Sequence, residues 1–393
     1  MMSSTQDAEV IVVGAGPSGS ATAAALAQKG HHVLLLDRHQ FPRDKVCGDA
    51  VSRDVVTLMF ELGMRDKVEA AEARGEFYPL DSIRLVSPRM HSMEVPFPPA
   101  ENGAKSYVAP RIYYDAVVHQ HALDCGAEFA VGEVKEPLIE HGRVTGVKAQ
   151  LNGHVQTLRA NVVVGADGVT SAVMRHLRPP EKQHKDSHRA VALRAYIEDM
   201  ELYPHEVEFF LYEEILPGYA WVFPAGENTA NIGLGMRLDQ FRSTKGNLKK
   251  MLQDFLAIPA IRERLRQGGV VRDVATWQLN FGSQRNLQYA FDGALLVGDA
   301  AGFINPLTGG GIHNGLVSAI LAADAIDEAL RRGDVSRSAL QRYEAMCRAE
   351  MGAQMRKAYF FQRLLHYVPS VADLLFSRAQ RYHGLADIFI SKL

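Results

Sequence analysis

The amino-acid sequence predicts an α/β chain, α+β overall. A parallel-sheet domain is interleaved with an antiparallel-sheet domain and followed by a helical C-terminal segment. Three observations carry this expectation. Short, continuous apolar runs such as Val10–Val13 and Val33–Leu36 read as strands buried on both faces. Glycine-rich stretches follow such runs at both ends of the chain, Gly14–Gly19 and Gly298–Gly311. Between them, Val191–Tyr196 and Val207–Tyr212 alternate in polarity as antiparallel strands do.

The first glycine-rich stretch has the setting of a Rossmann-like dinucleotide site. Val10–Val13 leads directly into Gly14-Ala15-Gly16-Pro17-Ser18-Gly19, and a helix of small residues follows. Gly14 permits the tight turn, Gly16 lets backbone approach a pyrophosphate, and Gly19 lets the helix pack closely on the strand. The helix N-terminus then faces the phosphates. Val33–Leu36 ends in Asp37, at about the 20-residue spacing expected for the ribose-binding acid, with Arg38 beside it.

The second stretch carries different chemistry. Ala294–Val297 reads as a strand, and Gly298-Asp299 stands at its end, where Asp299 can accept a hydrogen bond from a ribityl hydroxyl. Pro306 precedes Gly309-Gly310-Gly311, which open a helix from Ile312 to about Leu330. Free amides at that N-terminus would stabilise the negative charge that develops on a reduced flavin. Together the two stretches point to FAD.

The pattern resembles the flavoproteins of the para-hydroxybenzoate hydroxylase fold from Val10 to about Leu330. Val162-Val163-Val164-Gly165-Ala166-Asp167-Gly168 is similar to that family's second signature, and Arg111 to the arginine used beside the flavin. Phe41-Pro42-Arg43-Asp44-Lys45-Val46-Cys47-Gly48-Asp49 and Pro217-Gly218-Tyr219-Ala220-Trp221-Val222-Phe223-Pro224, the latter ahead of Ala230–Gly235, resemble the geranylgeranyl reductase family within it. Asp49 departs from the glycine many members carry. The resemblance implies that the cysteine segment, Cys47 and Gly48 included, lies near the flavin and that the aromatic segment lines the substrate cavity.

The residues give this chemistry a physical basis. Tyr219, Trp221 and Phe223 recur with period two, so they share one strand face and suit an apolar substrate. Reduction of an unactivated alkene needs protonation toward a cation before hydride can add, and aromatic faces stabilise such charge by roughly 0.5–2 kcal/mol each. Cys47 is either a small buried hydrophobe or a thiol that shapes the site or takes part in proton delivery, and Arg43 and Lys45 would lower its pKa if they face the same pocket. The expected activity is FAD-dependent reduction of isoprenoid double bonds. The alternative is an FAD monooxygenase acting on an aromatic or prenylated quinone-like compound; a halogenase or a non-catalytic flavin-binding partner is less favoured. No second dinucleotide fingerprint is found, so the electron donor is expected to be transiently bound NAD(P)H or a ferredoxin-like protein.

The interleaved organisation is expected to assign 1–80, 107–187 and 285–332 to the FAD domain. The substrate domain then takes 81–106 and 188–284, and the C-terminal helical segment 333–393. At 393 residues, 47% hydrophobic and a formal charge of −2, the chain supports several cores and gives no reason to expect nucleic acid. Three cysteines without paired spacing and scattered histidines predict no metal, and His119 and His121 are expected to be solvated. Neither a leader pattern nor a run of the roughly 20 apolar residues of a membrane span is found, so a cytoplasmic enzyme is expected. Met355–Leu365 mixes basic and bulky apolar groups, as either a helix closing over the substrate domain or a peripheral membrane contact. Ser391-Lys392-Leu393 reads as a peroxisomal address only in a eukaryote.

Overall fold

A computed structural model describes residues 7–368, apart from the side chain of Gln267. Residues 369–393, with Ser391-Lys392-Leu393, lie outside the described residues.

The apolar runs form the expected parallel sheet. Glu128–Glu140, Val33–Asp37, Ala8–Val13, His154–Gly165 and Ala294–Leu296 lie side by side, all parallel, and Ala290–Phe291 adds an antiparallel edge. Val10–Val12 and Val162–Val164 are fully buried, which explains why these strands are continuously apolar rather than alternating. Beyond the sheet, Glu128–Glu140 and His154–Gly165 run on and join through Arg143–Leu151 in antiparallel pairing. The helices Pro17–Gln28 and Ile312–Arg331 pack against each other beside the sheet. Their N-termini therefore meet near the ends of the strands that feed them.

The second sheet is antiparallel except for one pair. Its order is Leu265–Asn280, Arg189–Met200, Thr229–Arg237, Tyr219–Pro224, Glu206–Phe210, Ser82–Val86 and Ser92–Pro96, the Glu206–Phe210/Ser82–Val86 pair being parallel. Its two faces have different fates. Ala220 and Val222 enter a core with the helix Leu248–Leu256, whereas Trp221 and Phe223 join a separate cluster on the opposite face, with Tyr219 packed against it. The period-two pattern in 219–224 thus divides a structural face from a cavity face.

The C-terminal helix, Arg337–Tyr367, has two regimes. Its first part buries Leu340, Tyr343 and Cys347 in the core of the parallel sheet. Farther along, Tyr359 stacks on His188 at 4.4 Å and Gln362 lines the cavity facing the second sheet. The segment Met355–Leu365 thus reaches the cavity through Gln362 and the start of the second sheet's strand Arg189–Met200 through Tyr359 on His188. His119 and His121 are both 6% exposed, contrary to the expectation of solvation. His119 stacks on Phe41 at 4.1 Å, and burial lowers the pKa of both rings. Their helix, Arg111–Asp124, is covered on more faces than a simple amphipathic pattern implies.

Candidate active site

The two glycine-rich stretches meet in space. A Cβ on Gly298 would overlap the Ser18 side chain, so the distant loop reaches the first helix only because position 298 has none. Gly19 is equally constrained, since a Cβ there would overlap the Gly14 carbonyl. The helix Pro17–Gln28 has no side-chain cap at Gly16, so its first-turn amides face the space beside the turn. Asp37 accepts the Ala15 amide at 2.9 Å and the His39 amide at 2.9 Å, which ties this carboxylate to the glycine turn.

A trough of about 470 Å³ runs past Gly14, Gly16, Asp37, Arg38, Asp167 and Gly168. It continues into a second cavity of about 200 Å³, with Gly16, Lys45, Ala166, Gly168 and Trp277 lining both. Asp299, Pro306, Gly309, Gly311 and Ile312 lie along the second cavity, opposite Tyr219, Trp221 and Phe223. A long, open-backed cradle with uncapped helix N-termini at two points fits a dinucleotide joined to a planar ring. The fit to FAD is therefore physical as well as sequential. Lys45 crosses this path, its Nζ 3.3 Å from Asp299 Oδ2.

The cavity face of the antiparallel sheet is a flat floor between aromatic walls. Trp221 pairs with Gly233, which pairs in turn with Arg194; Tyr219 pairs with Gly235, which pairs with Ala192. A Cβ on Gly233 would overlap the Trp221 ring, so the indole lies flat only over glycine. Trp277 and Leu279 complete the far wall.

Asn231 joins the aromatic strand to the cysteine loop. Trp221 Nε1 donates to Asn231 Oδ1 at 2.9 Å, and Asn231 Nδ2 donates to the Cys47 carbonyl at 2.8 Å and to Asp49 Oδ2 at 2.7 Å. Tyr196 Oη also donates to Asp49 Oδ2, at 2.5 Å. Asp49 adopts φ +65°, a left-handed conformation that glycine adopts more readily than an L side chain. Burial pushes its carboxyl up to about 6, against the hydrogen bonds from Tyr196 and Asn231.

Cys47 lines the cavity beside Gly48 and Arg111. The thiol pKa is raised, and of the two neighbouring cations, Arg43 and Lys45, only Lys45 acts to lower it. Burial raises it, and this outweighs the opposing pull of Arg111, the Asp49 amide and Lys45. Arg43 does not serve the thiol; it binds Asp115 Oδ2 at 2.7 Å. Arg111 holds the same carboxylate at 2.5 and 2.8 Å, and its charge is the strongest influence opposing burial at the thiol.

The structure brings most of the sequence-derived candidates into one connected space. Gly19 and Gly298 act from behind it as packing positions, and Gly310 is exposed within the turn, its carbonyl accepting the Asn305 amide at 2.9 Å. Sequence reasoning missed Asn231, Tyr196, Arg194 and Trp277. The readable signal was a polar side chain inside an otherwise apolar strand, as in Ala230-Asn231-Ile232.

Comparisons with known proteins agree with this geometry. Residues 7–358 match the FAD binding domain family. The chain is 32% identical to the digeranylgeranylglycerophospholipid reductase of Methanocella arvoryzae, over 93% of this chain and 88% of that one. It is 31% identical to digeranylgeranylglycerophospholipid reductase 2 of Methanopyrus kandleri, over 89% and 84%. Among solved structures, a geranylgeranyl bacteriochlorophyll reductase-like protein from Thermoplasma acidophilum superposes with a TM-score of 0.83 at 25% identity, covering 95% of this chain and 91% of that one. A flavin-dependent brominase, at TM-score 0.74 and 19% identity, shares the fold. The chain is an FAD-dependent oxidoreductase and belongs to the FAD binding domain family and, within it, to the digeranylgeranylglycerophospholipid reductases.

Proposed function

We propose that the chain reduces carbon–carbon double bonds in an isoprenoid substrate of geranylgeranyl or polyprenyl type. The observation that carries this reading is the aromatic-walled cavity, which opens into the glycine-rich cradle beside Cys47. Asp37 and Arg38 would hold the adenosine end of FAD, with Gly14, Gly16, Pro17, Ser18 and Gly19 forming the pyrophosphate turn. Asp167 and Gly168 would flank the cofactor, Asp299 the ribityl chain, and Pro306 with Gly309–Ile312 the ring. Reduced flavin, when bound, supplies the hydride from N5.

The chain's own residues supply the rest. Tyr219, Trp221 and Phe223 bind the apolar chain and exclude water, and their faces stabilise the positive charge that builds on the alkene as it is protonated. Cys47 holds the proton. Because burial raises its pKa, the thiol remains protonated at neutral pH and is available as the acid. The thiolate left behind is held by Arg111, the Asp49 amide and Lys45. One proton from sulfur and one hydride then saturate one double bond.

The work divides among three units: an FAD domain of 1–80, 107–187 and 285–332, a substrate domain of 81–106 and 188–284, and the helical segment from 333. No helix among the described residues is long and apolar enough to cross a membrane. Phe360 and Tyr367, 64% and 67% exposed beside Arg363, support peripheral contact with a bilayer through the last described turns. The test of the cavity is Trp221→Ala in single-turnover reduction. Loss of alkene reduction with FAD retained is expected, and an unchanged rate contradicts the assignment.

A further inference from the structure

The substrate cavity does not end at its aromatic walls. Along the strand Arg189–Met200 its floor passes from Arg194 through Ala192 to Ala190, which pairs with Arg237. Arg237 is 7% exposed, and its Nη1 has no partner among the described residues although Asp239 holds Nε and Nη2. Immediately beyond lies a separate surface cavity of about 820 Å³. The two cavities divide chain neighbours between them. Ala190, Phe281 and Gln362 line the inner one, while His188, Ser283 and Arg363 line the outer one.

The outer cavity is strongly cationic. Lys182, Lys185, Arg285, Arg356 and Arg363 line it against one acid, Glu181, and none of the five forms an ion pair among the described residues. Asp186, close in sequence to Lys185, is engaged by Arg189 and Arg242 instead. His188 sits at the junction, stacked on Tyr359, with its Nδ1 2.9 Å from Ser283 Oγ. Burial first, and then the charges of Arg237, Lys185 and Arg363, hold this ring neutral, with its pKa down at about 4. Cations converging on a neutral, stacked ring form a field suited to an oxyanion.

We propose that this outer cavity is a headgroup site that takes the phosphate of a substrate whose isoprenoid chain lies in the aromatic cavity. The proposal rests on the isoprenoid reading above. The strand runs roughly 17 Å from Arg194, level with Trp221 through Gly233, to its first residue, Arg189, which His188 directly precedes. An extended chain can therefore keep a double bond near Cys47 while its phosphate is held at Lys185 and Arg363. The shared ligand chemistry is a phosphate group on a prenyl chain, carried either by a soluble prenyl diphosphate or by a phospholipid.

The test uses FAD-loaded enzyme and the variant Lys185→Gln/Arg363→Gln. Three probes are titrated in neutral detergent and followed by the flavin spectrum: geranylgeranyl diphosphate, geranylgeraniol, and a glycerophospholipid with geranylgeranyl chains. The variant is expected to bind at least one phosphate-bearing probe about tenfold or more weakly, with geranylgeraniol binding, kcat and FAD content unchanged. Lys185→Arg/Arg363→Lys is expected to retain the affinity. Weakening confined to the diphosphate assigns the site to soluble prenyl diphosphates; weakening confined to the lipid assigns it to a membrane headgroup. Equal affinity of the charge-removed variant and wild type for both phosphate-bearing probes overturns the proposal. Failure of wild-type enzyme to bind any probe overturns the isoprenoid reading itself.

Discussion

The cofactor cradle and the substrate cavity share a boundary but are built by different means. The cradle is made largely of backbone, from glycine turns, uncapped helix N-termini and strand ends. The cavity is made of side chains from four strands and a loop, held in place by hydrogen bonds between residues as far apart as Cys47 and Asn231. A backbone site tolerates almost no added volume. A side-chain site tolerates volume change better, but depends on every polar partner in its network being satisfied.

This contrast orders the expected effects. The largest belongs to Gly19→Val, whose Cβ would overlap the Gly14 carbonyl. Purified protein is expected to lack FAD, read as the flavin-to-protein absorbance ratio, and a normal ratio would show that the cradle is not backbone-limited. Asp49→Asn tests the side-chain network. Asp49 has its pKa raised from 3.8 to about 6, so the folded state binds its proton more tightly than the unfolded chain does. The stability from this group is therefore full below pH 3.8 and is lost as pH rises through 6, by on the order of 3 kcal/mol. The asparagine variant is expected to lose this slope in denaturant melts between pH 4 and 7; an unchanged slope removes Asp49 as its cause.

Cys47→Ala is expected to keep FAD while reducing turnover by about 100-fold, the lower range for loss of a positioned acid. Wild-type turnover would take the thiol out of the mechanism. The smallest effect is expected for Asn231→Ala. It leaves the Trp221 indole N–H without its acceptor and Asp49 without one donor, at about 1–3 kcal/mol in unfolding free energy. No loss of stability would mean that the bridge contributes nothing to the cavity.

The same contrast explains what the sequence could reveal. Gly14–Gly19, Asp37 and Gly298–Gly311 were legible because backbone sites impose short-range spacing, and the period of Tyr219, Trp221 and Phe223 revealed a shared face. The long-range partners were not legible. Nothing near Cys47 in the chain announces Arg111 or Asn231, or tells that Lys45 acts on the thiol whereas Arg43 turns to Asp115. Burial raised the thiol's pKa, and burial is a property of the assembled sheets. His119 and His121 escaped for the same reason, since their helix is covered from sides that its own pattern does not specify.

The central claim is that electrons leave the flavin into an alkene. Chemically reduced, FAD-loaded enzyme mixed with a geranylgeranyl substrate under anaerobic conditions tests it directly. The account predicts flavin reoxidation without oxygen, together with a product heavier by two hydrogens for each double bond reduced. Reoxidation that requires O2 and yields a product heavier by one oxygen would contradict it.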